Sequence, residues 1–369
     1  MPELSISTAP VQLPRHALKQ MVALVHVIDL LSRSERYRAL VAPLLPEVAR
    51  FDPGHAAVMM GYDFHLTEQG PRLIEVNTNA GGGLLACRAA WPQLGPLPQQ
   101  LPEKLKGRLL DSFACEFGSF CHKQHCKPQR IVIIDETPEE QFLYPEMMAF
   151  RELFQNWGAA TNIAEPSRLA ADATGVFDEG EPVELIYNRH CDFYLEDPAM
   201  AGLRQAYLAG KVCLTPNPFS YGLIADKRRM SLWSDPVIVE QLDLSPNQVE
   251  LCRQLVPQTQ LLSEMNSENV WAKRKQLVFK PATHYGSKGV LLGEKISRKR
   301  FTELAPTETL VQQLVTPSLT ETPDFGPMKT DFRLFAYRNR VLGVTARLYR
   351  VQFAYLGTAG GGFAPVVVT

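Results

Sequence analysis

Residues 62–83, YDFHLTEQGPRLIEVNTNAGGG, set Asp63 twelve positions before Glu75 and Glu75 two before Asn77. Side chains at i and i+2 of a strand face the same side, so Glu75 and Asn77 point together. The polar turn Thr67 to Gly70 lies between the alternating stretch Asp63 to Leu66 and the apolar run Arg72 to Val76. That pattern predicts a β-hairpin, which could bring Asp63 beside the other two. Three hard oxygen ligands on a rigid strand pair suit Mg²⁺. An ordinary hairpin with solvated acids gives the same string.

Two further strings carry chemistry. Residues 277–292, LVFKPATHYGSKGVLL, deliver Lys280 on an apolar strand and follow it with a glycine-bearing loop. Backbone N–H groups of such a loop can curl over phosphates while the lysine neutralises charge. The Walker A pattern and its following helix are absent, and a plain surface turn is the other reading. Residues 331–350, DFRLFAYRNRVLGVTARLYR, place Asp331 and Arg333 on one face of a strand, a turn at Arg338 to Arg340, and Arg347 on the return strand. Arginines beside carboxylates suit capture of phosphate or of a substrate carboxylate, and equally a cross-strand salt-bridge ladder.

The elements that must hold these groups follow from periodicity. Met21, Leu24, Val25, Ile28 and Leu31 recur at helical spacing within Arg15 to Arg50, punctuated by Pro43 and Pro46. Beyond a Pro-rich connector, Leu101, Leu105, Leu109, Phe113, Phe117 and Phe120 form one stripe of a second helix. From Arg130 strand and helix alternate: Ile131 to Ile134, a helix begun by Pro145 and stopped by Gly158, then strands at Thr161 to Ala164, Val183 to Tyr187 and Val212 to Leu214. This predicts a small, mainly parallel sheet, with Tyr187, Asn188 and Arg189 presented at a strand end.

Taken together the three strings resemble the ATP-grasp superfamily, in an unusual order. The superfamily's lysine and glycine loop come first, an Asp-x-Arg strand pair follows, and a hairpin ending in Glu-x-Asn closes the domain; here that hairpin lies near the N-terminus. The chain thus looks like a circularly permuted protein similar to the glutathione synthetase and glutathionylspermidine synthetase type. The fold class this implies is α/β (α+β), an ATP-grasp fold with a Rossmann-like domain ahead of the nucleotide clamp. The corresponding division is residues 1–128 for the N-terminal helices and the hairpin 58–83, 129–220 for the Rossmann-like substrate domain, and 221–369 for the lysine and glycine-loop part with the Asp-x-Arg strands.

Residue by residue, the resemblance assigns Lys280 and Lys227 to ATP, and Ser287, Lys288 and Gly289 to the loop covering the phosphates. It sets Leu310 to Val315 at the adenine-binding hinge, with Gln312 or Gln313 toward the ribose. Asp63, Glu75 and Asn77 become ligands of magnesium, bound as two ions; Arg347 stabilises the transferring phosphoryl group, with Lys280 and Arg333 beside it. Tyr187, Asn188 and Arg189 become candidates for gripping substrate. The implied reaction is ATP-dependent carboxylate–amine ligation through an acyl phosphate. Alternatives are a kinase that stops at a phosphorylated product and a nucleotide-sensing protein without turnover.

Composition bounds the partners. Across 369 residues, 38 basic and 39 acidic side chains leave a formal net charge of −1, so no bulk field draws nucleic acid or an anionic membrane. No run approaches the ~20 apolar residues of a membrane span. Seven cysteines, an odd number spread along the chain, argue for a reducing compartment, and the expected location is the cytoplasm. The partners that the resemblance implies are a small-molecule carboxylate and amine, and a homodimer is compatible with the sequence. Cys121, His122, His125 and Cys126 lack standard zinc spacing and read as a helix end with a solvated loop. Cys191, between His190 and Asp192, reads as packing.

Overall fold

A computed structural model describes residues 6–91, 97, 99, 101–124, 126–282, 289–352 and 359–369. After a short strand β1 (Val11–Leu13), helix α1 (Arg15–Arg33) buries Met21, Leu24, Val25, Ile28 and Leu31, the stripe that the periodicity predicts, together with Ala17. Ser34 ends α1 and caps α2 (Glu35–Val41) by accepting the Tyr37 N–H, and α3 (Glu47–Arg50) starts directly after Pro46. The predicted hairpin follows as β2 (Met60–Thr67) antiparallel to β3 (Gly70–Asn77). Helices α4 (Gly83–Ala90) and α5 (Glu103–Phe120) complete this part; Leu109, Phe113 and Phe117 of α5 are buried.

The βαβ texture resolves into β4 (Arg130–Ile134), α6 (Tyr144–Trp157) and β5 (Ala160–Ala164). Gly158, at φ 88°, closes α6 in the left-handed conformation that glycine adopts without a Cβ clash. Next comes a small antiparallel sheet of β6 (Ala170–Asp172), β7 (Gly175–Asp178) and β8 (Glu181–Pro182), which the sequence reading does not contain. Its strands are too short for a periodic signal, although Glu179 and Gly180, both at positive φ, form the two-residue turn that a hairpin needs. Strand β9 (Leu185–Asn188) then begins two residues later than expected, and helix α7 (Ala201–Leu208) leads to β10 (Cys213–Thr215). The order β10-β9-β4-β5 is parallel throughout. Alternate residues divide between two cores: Val132, Ile134, Ile186 and Leu214 face the α1 side, while Ile131, Ile133, Leu185 and Tyr187 face α5 and α6.

A second sheet, in the order β11-β14-β12-β13, comprises β11 (Thr259–Leu261), β12 (Leu277–Pro281), β13 (Leu291–Leu292) and β14 (Thr309–Gln313). Phe279 and Val311 turn into a small separate core, so Lys280 points to the opposite face.

The largest sheet joins distant parts of the chain. β15 (Ser318–Thr322) pairs with the edge of β16 (Gly326–Tyr337), which pairs with β17 (Arg340–Tyr349) on one side and the early strand β2 on the other. β18 (Gly362–Ala364) extends the sheet beyond β17, giving β18-β17-β16-β2-β3. Finally β19 (Val366–Val368) runs parallel to β1, and the Arg15 N–H donates to the Thr369 carbonyl at 2.7 Å. Tyr62, Phe64, Phe332, Leu334, Ala346 and Leu348 bury one face against the α1 core. Their alternation partners Asp63, Asp331, Arg333, Thr345 and Arg347 occupy the other face.

Candidate active site

Register assembles the charged groups. Arg333 lies opposite Asp63 across β16 and β2, Asp63 opposite Glu75 across β2 and β3, and Asp331 opposite Arg347 across β16 and β17. Arg333 Nε and Nη2 each donate to Asp63 at 2.6 Å. Arg347 Nε and Nη2 donate to Asp331 at 2.7 and 2.8 Å, and Nη2 also reaches Asp63 Oδ2 at 3.0 Å. Burial pushes the Asp63 carboxyl upward, but Arg333 and Arg347 outweigh it and hold the group down at about 2.

Asn77 Nδ2 donates to Asp63 Oδ2 at 3.3 Å and to Glu75 Oε1 at 3.4 Å. An N–H donor thus sits between two carboxylates, where positive charge is favoured. Turning the amide about its terminal bond would bring its oxygen to the same point. Two carboxylates and an amide oxygen are hard donors that fit magnesium, which binds through one or two carboxylates together with phosphate and water. Among the described residues no group of three His, Cys, Asp or Glu side chains is gathered for a metal.

Lys280 enters from the second sheet. A bulge between Asp63 and Phe64 sets Asp63 opposite Glu75 but Phe64 opposite Leu73, leaving Ile74 as the extra residue. Lys280 Nζ donates to the Ile74 carbonyl at 3.0 Å. Burial lowers the Lys280 ammonium to about 8; Glu75 opposes that shift and Lys227 adds to it. The Lys227 segment is fixed by its neighbours: Asp226 accepts from Arg228 Nε at 2.9 Å and from the Tyr194 hydroxyl at 2.7 Å. His65 Nδ1 lies 2.7 Å from the Val315 carbonyl and ties β2 to the chain leaving β14.

The C-terminal ends of the parallel sheet approach the same cluster through the glycine run. Arg333 Nη1 donates to the Gly81 carbonyl at 3.4 Å, while a Cβ added at Gly81 would come within 2.5 Å of Arg189 Nη2. A side chain there would displace the tips of Leu143 and Arg189. Glu146 of α6, 2% exposed, accepts from the Gly82 and Leu84 N–H groups at 2.7 and 2.8 Å and stands 4.0 Å from Arg189. Asn79 Nδ2 donates to the His190 carbonyl at 2.6 Å. Beside Arg189, burial raises Asp135 to about 6 against that arginine's pull.

Asp63, Glu75, Asn77, Arg333, Arg347, Lys280 and Lys227 therefore gather in one region, with Arg189 one peptide away. Other expected residues are placed differently. Gln312 is buried and donates to Thr259 Oγ1 at 3.0 Å, whereas Gln313 at the end of β14 is exposed. Tyr187 packs its ring against Phe113 and Phe150, with the Arg189 guanidinium 5.6 Å from the ring centroid and donating to the hydroxyl at 3.4 Å; Asn188 turns its amide oxygen to the His190 N–H at 3.0 Å. Gly289 is described, at φ 76°; Ser287 and Lys288, like His125, lie outside the described residues. Sequence reasoning missed Glu146, which looks like an ordinary acid in the first turn of a helix, and Asp135, whose only signal is its position one step past a strand end.

A glutathione synthetase-like effector from Globodera pallida, solved in its apo form, superposes with a TM-score of 0.60 over 99% of this chain and 90% of that chain at 12% identity. A protein from Methylobacillus flagellatus named as a γ-glutamylcysteine synthetase gives 0.53 over 99% and 89%, also at 12% identity. The fold is ATP-grasp-like. Within that ATP-grasp-like fold, the large sheet and the lysine-bearing sheet meet at the charged cluster. No protein-family model matches the chain, and no curated protein matches its sequence. Among the described residues no helix is long and apolar enough to cross a membrane.

Proposed function

We propose that this chain is an ATP-dependent ligase that joins a small-molecule carboxylate to an amine through an acyl phosphate. One observation carries the reading: Lys280 reaches from the second sheet to the Ile74 carbonyl beside Glu75, so a nucleotide-type cation abuts an acidic, oxygen-rich hairpin. In this reading Lys280 and Lys227 grip the phosphates of ATP. Magnesium, held by Asp63, Glu75 and Asn77, would supply charge neutralisation at the phosphate oxygens. Arg347 and Arg333 lie where negative charge spreads during phosphoryl transfer, which calls for fixed cations more than for a covalent nucleophile.

Arg189, held against the Tyr187 hydroxyl and near Glu146, orients the substrate carboxylate. That carboxylate attacks the γ-phosphorus, giving acyl phosphate and ADP; the amine then attacks the acyl carbon, expels phosphate and loses a proton to form the amide. Tyr187 acts by orienting Arg189. The order of the elements, with the acidic hairpin at residues 60–77 and its sheet partners at 326–364, supports a circularly permuted arrangement. The four parallel strands support a Rossmann-like substrate domain.

The test is phosphate release from the purified chain with Mg·ATP, screened against pools of amino acids, peptides and polyamines. Turnover that requires both an acid and an amine, and that is lost in Lys280→Ala and Glu75→Gln, is the expected result. Turnover unchanged by Glu75→Gln would remove the metal assignment, and phosphate release that needs no amine would remove the ligase reading.

A further inference from the structure

Past Arg333, the site-bearing face of the large sheet continues into Phe335, which pairs with Gly343 as Arg333 pairs with Thr345. There α4 and α5 border a cavity of about 310 Å³, walled by Met59, Leu84, Leu105, Leu109, Phe335 and Leu342. The candidate active site and this cavity share β16 and β17, yet their chemistry is opposite: one is built from ions, the other from hydrocarbon.

Two cations also line the cavity. Lys104 and Arg108 are exposed and four residues apart on α5, hence on one side of the helix. Among the described residues neither is joined to an acid, whereas Lys106 between them pairs with Glu103 at 2.8 Å. A concave apolar space with a few convergent polar groups is the usual form of a small-molecule site. Charge complementarity favours an anionic ligand, because a carboxylate head group could meet both side chains.

We propose that this cavity binds a small amphipathic carboxylate, its alkyl or aryl body between α4, α5 and the β16–β17 hairpin and its head group held by Lys104 and Arg108. The site does not depend on the ligase reading, and it can be tested without nucleotide.

Gly343 provides a precise plug. It lines the cavity, and a Cβ added there meets nothing within 4 Å, so Gly343→Leu grows into open space. The measurement is fluorescence of anilinonaphthalene sulfonate bound to the full chain, displaced by decanoate, decanol or decylamine. One saturable dye site is expected, with decanoate displacing at roughly tenfold lower concentration than decanol or decylamine, the preference that about 1.4 kcal/mol of head-group attraction gives. Gly343→Leu should abolish displacement at an unchanged melting temperature. The double variant Lys104→Gln, Arg108→Gln should keep decanol competition and lose the decanoate preference. Unsaturable dye binding, equal displacement by the three competitors, or unaltered binding in Gly343→Leu would each overturn the proposal.

Discussion

The Lys280 ammonium donates to the carbonyl of Ile74, the one residue that the β2–β3 bulge leaves out of register. A bulge frees a backbone group that regular pairing would consume, and here that group receives the cation of another sheet. The irregularity in one ladder is thereby the joint between two parts of the candidate site.

Lys280 predicts opposite pH trends for binding and stability. Burial lowers it to about 8 from an ordinary 10.5, so the free protein loses this charge as the pH rises through about 8. Mg·ADP affinity, measured by calorimetry, should fall above that value, and Lys280→Arg should retain affinity there. Because the unfolded chain holds the proton more tightly, Lys280's contribution to stability rises from about pH 8 toward 10.5. A Lys280 variant whose affinity profile matches wild type would contradict this.

Asp63 governs the acid limb. Its carboxyl is held at about 2 against an ordinary 3.8, so its contribution is complete above the ordinary value and is lost as the pH falls toward about 2. Asp63→Asn should flatten this part of the acid unfolding curve. It also leaves Arg333 and Arg347 without their shared anion, a loss of about 3–5 kcal/mol when a buried pair is broken from one side. Urea unfolding at neutral pH measures that loss.

Gly81→Ala separates nucleotide from substrate. The new Cβ meets the tips of Leu143 and Arg189, both side chains that can swing aside, so stability should change little. Displacing Arg189 should lower turnover at least about tenfold through misplacement of the reacting group, with Mg·ADP affinity unchanged. Equal loss of both would place Gly81 in the nucleotide site.

Tyr337→Phe tests the buried scaffold. The Tyr337 hydroxyl donates to Glu116 at 2.8 Å, and the same carboxylate, fully buried, faces His55 Nδ1 at 2.9 Å and accepts from Thr215 at 3.3 Å. Burial pushes Glu116 upward, yet His55 leads a set of donors that keeps it below the usual range. Removing one donor should cost about 1–3 kcal/mol in chemical denaturation. Mg·ADP affinity of the folded protein should not change.

Much of this was legible from local rules. The two-residue spacing of Glu75 and Asn77 fixes their common side, and Asp331 and Arg333 alternating with Phe332 and Leu334 reveal a strand with one buried and one charged face. What spacing cannot supply is the identity of strand neighbours: nothing in residues 60–77 announces that β2 pairs with β16, so the claim of Arg333 and Arg347 on Asp63 had no local sign. Gln312 shows the converse error, since a polar residue in a strand looks available until a partner such as Thr259 is found across the ladder. Glu146 satisfies helix-terminus amides of a different helix, a contact that only tertiary packing creates.

The pairing of β2 with β16 also sets an order of events in synthesis. Asp63 and Arg333 are separated by 270 positions, so the carboxylate leaves the ribosome long before either guanidinium exists. Contacts between remote segments form late and slowly. The hairpin's edge must stay hydrated or shielded while the parallel sheet folds, and an exposed strand edge is a template for mispairing with other chains. For this chain, the charged cluster cannot close until residues 331–347 have emerged, and until then the β2 edge stays open to mispairing.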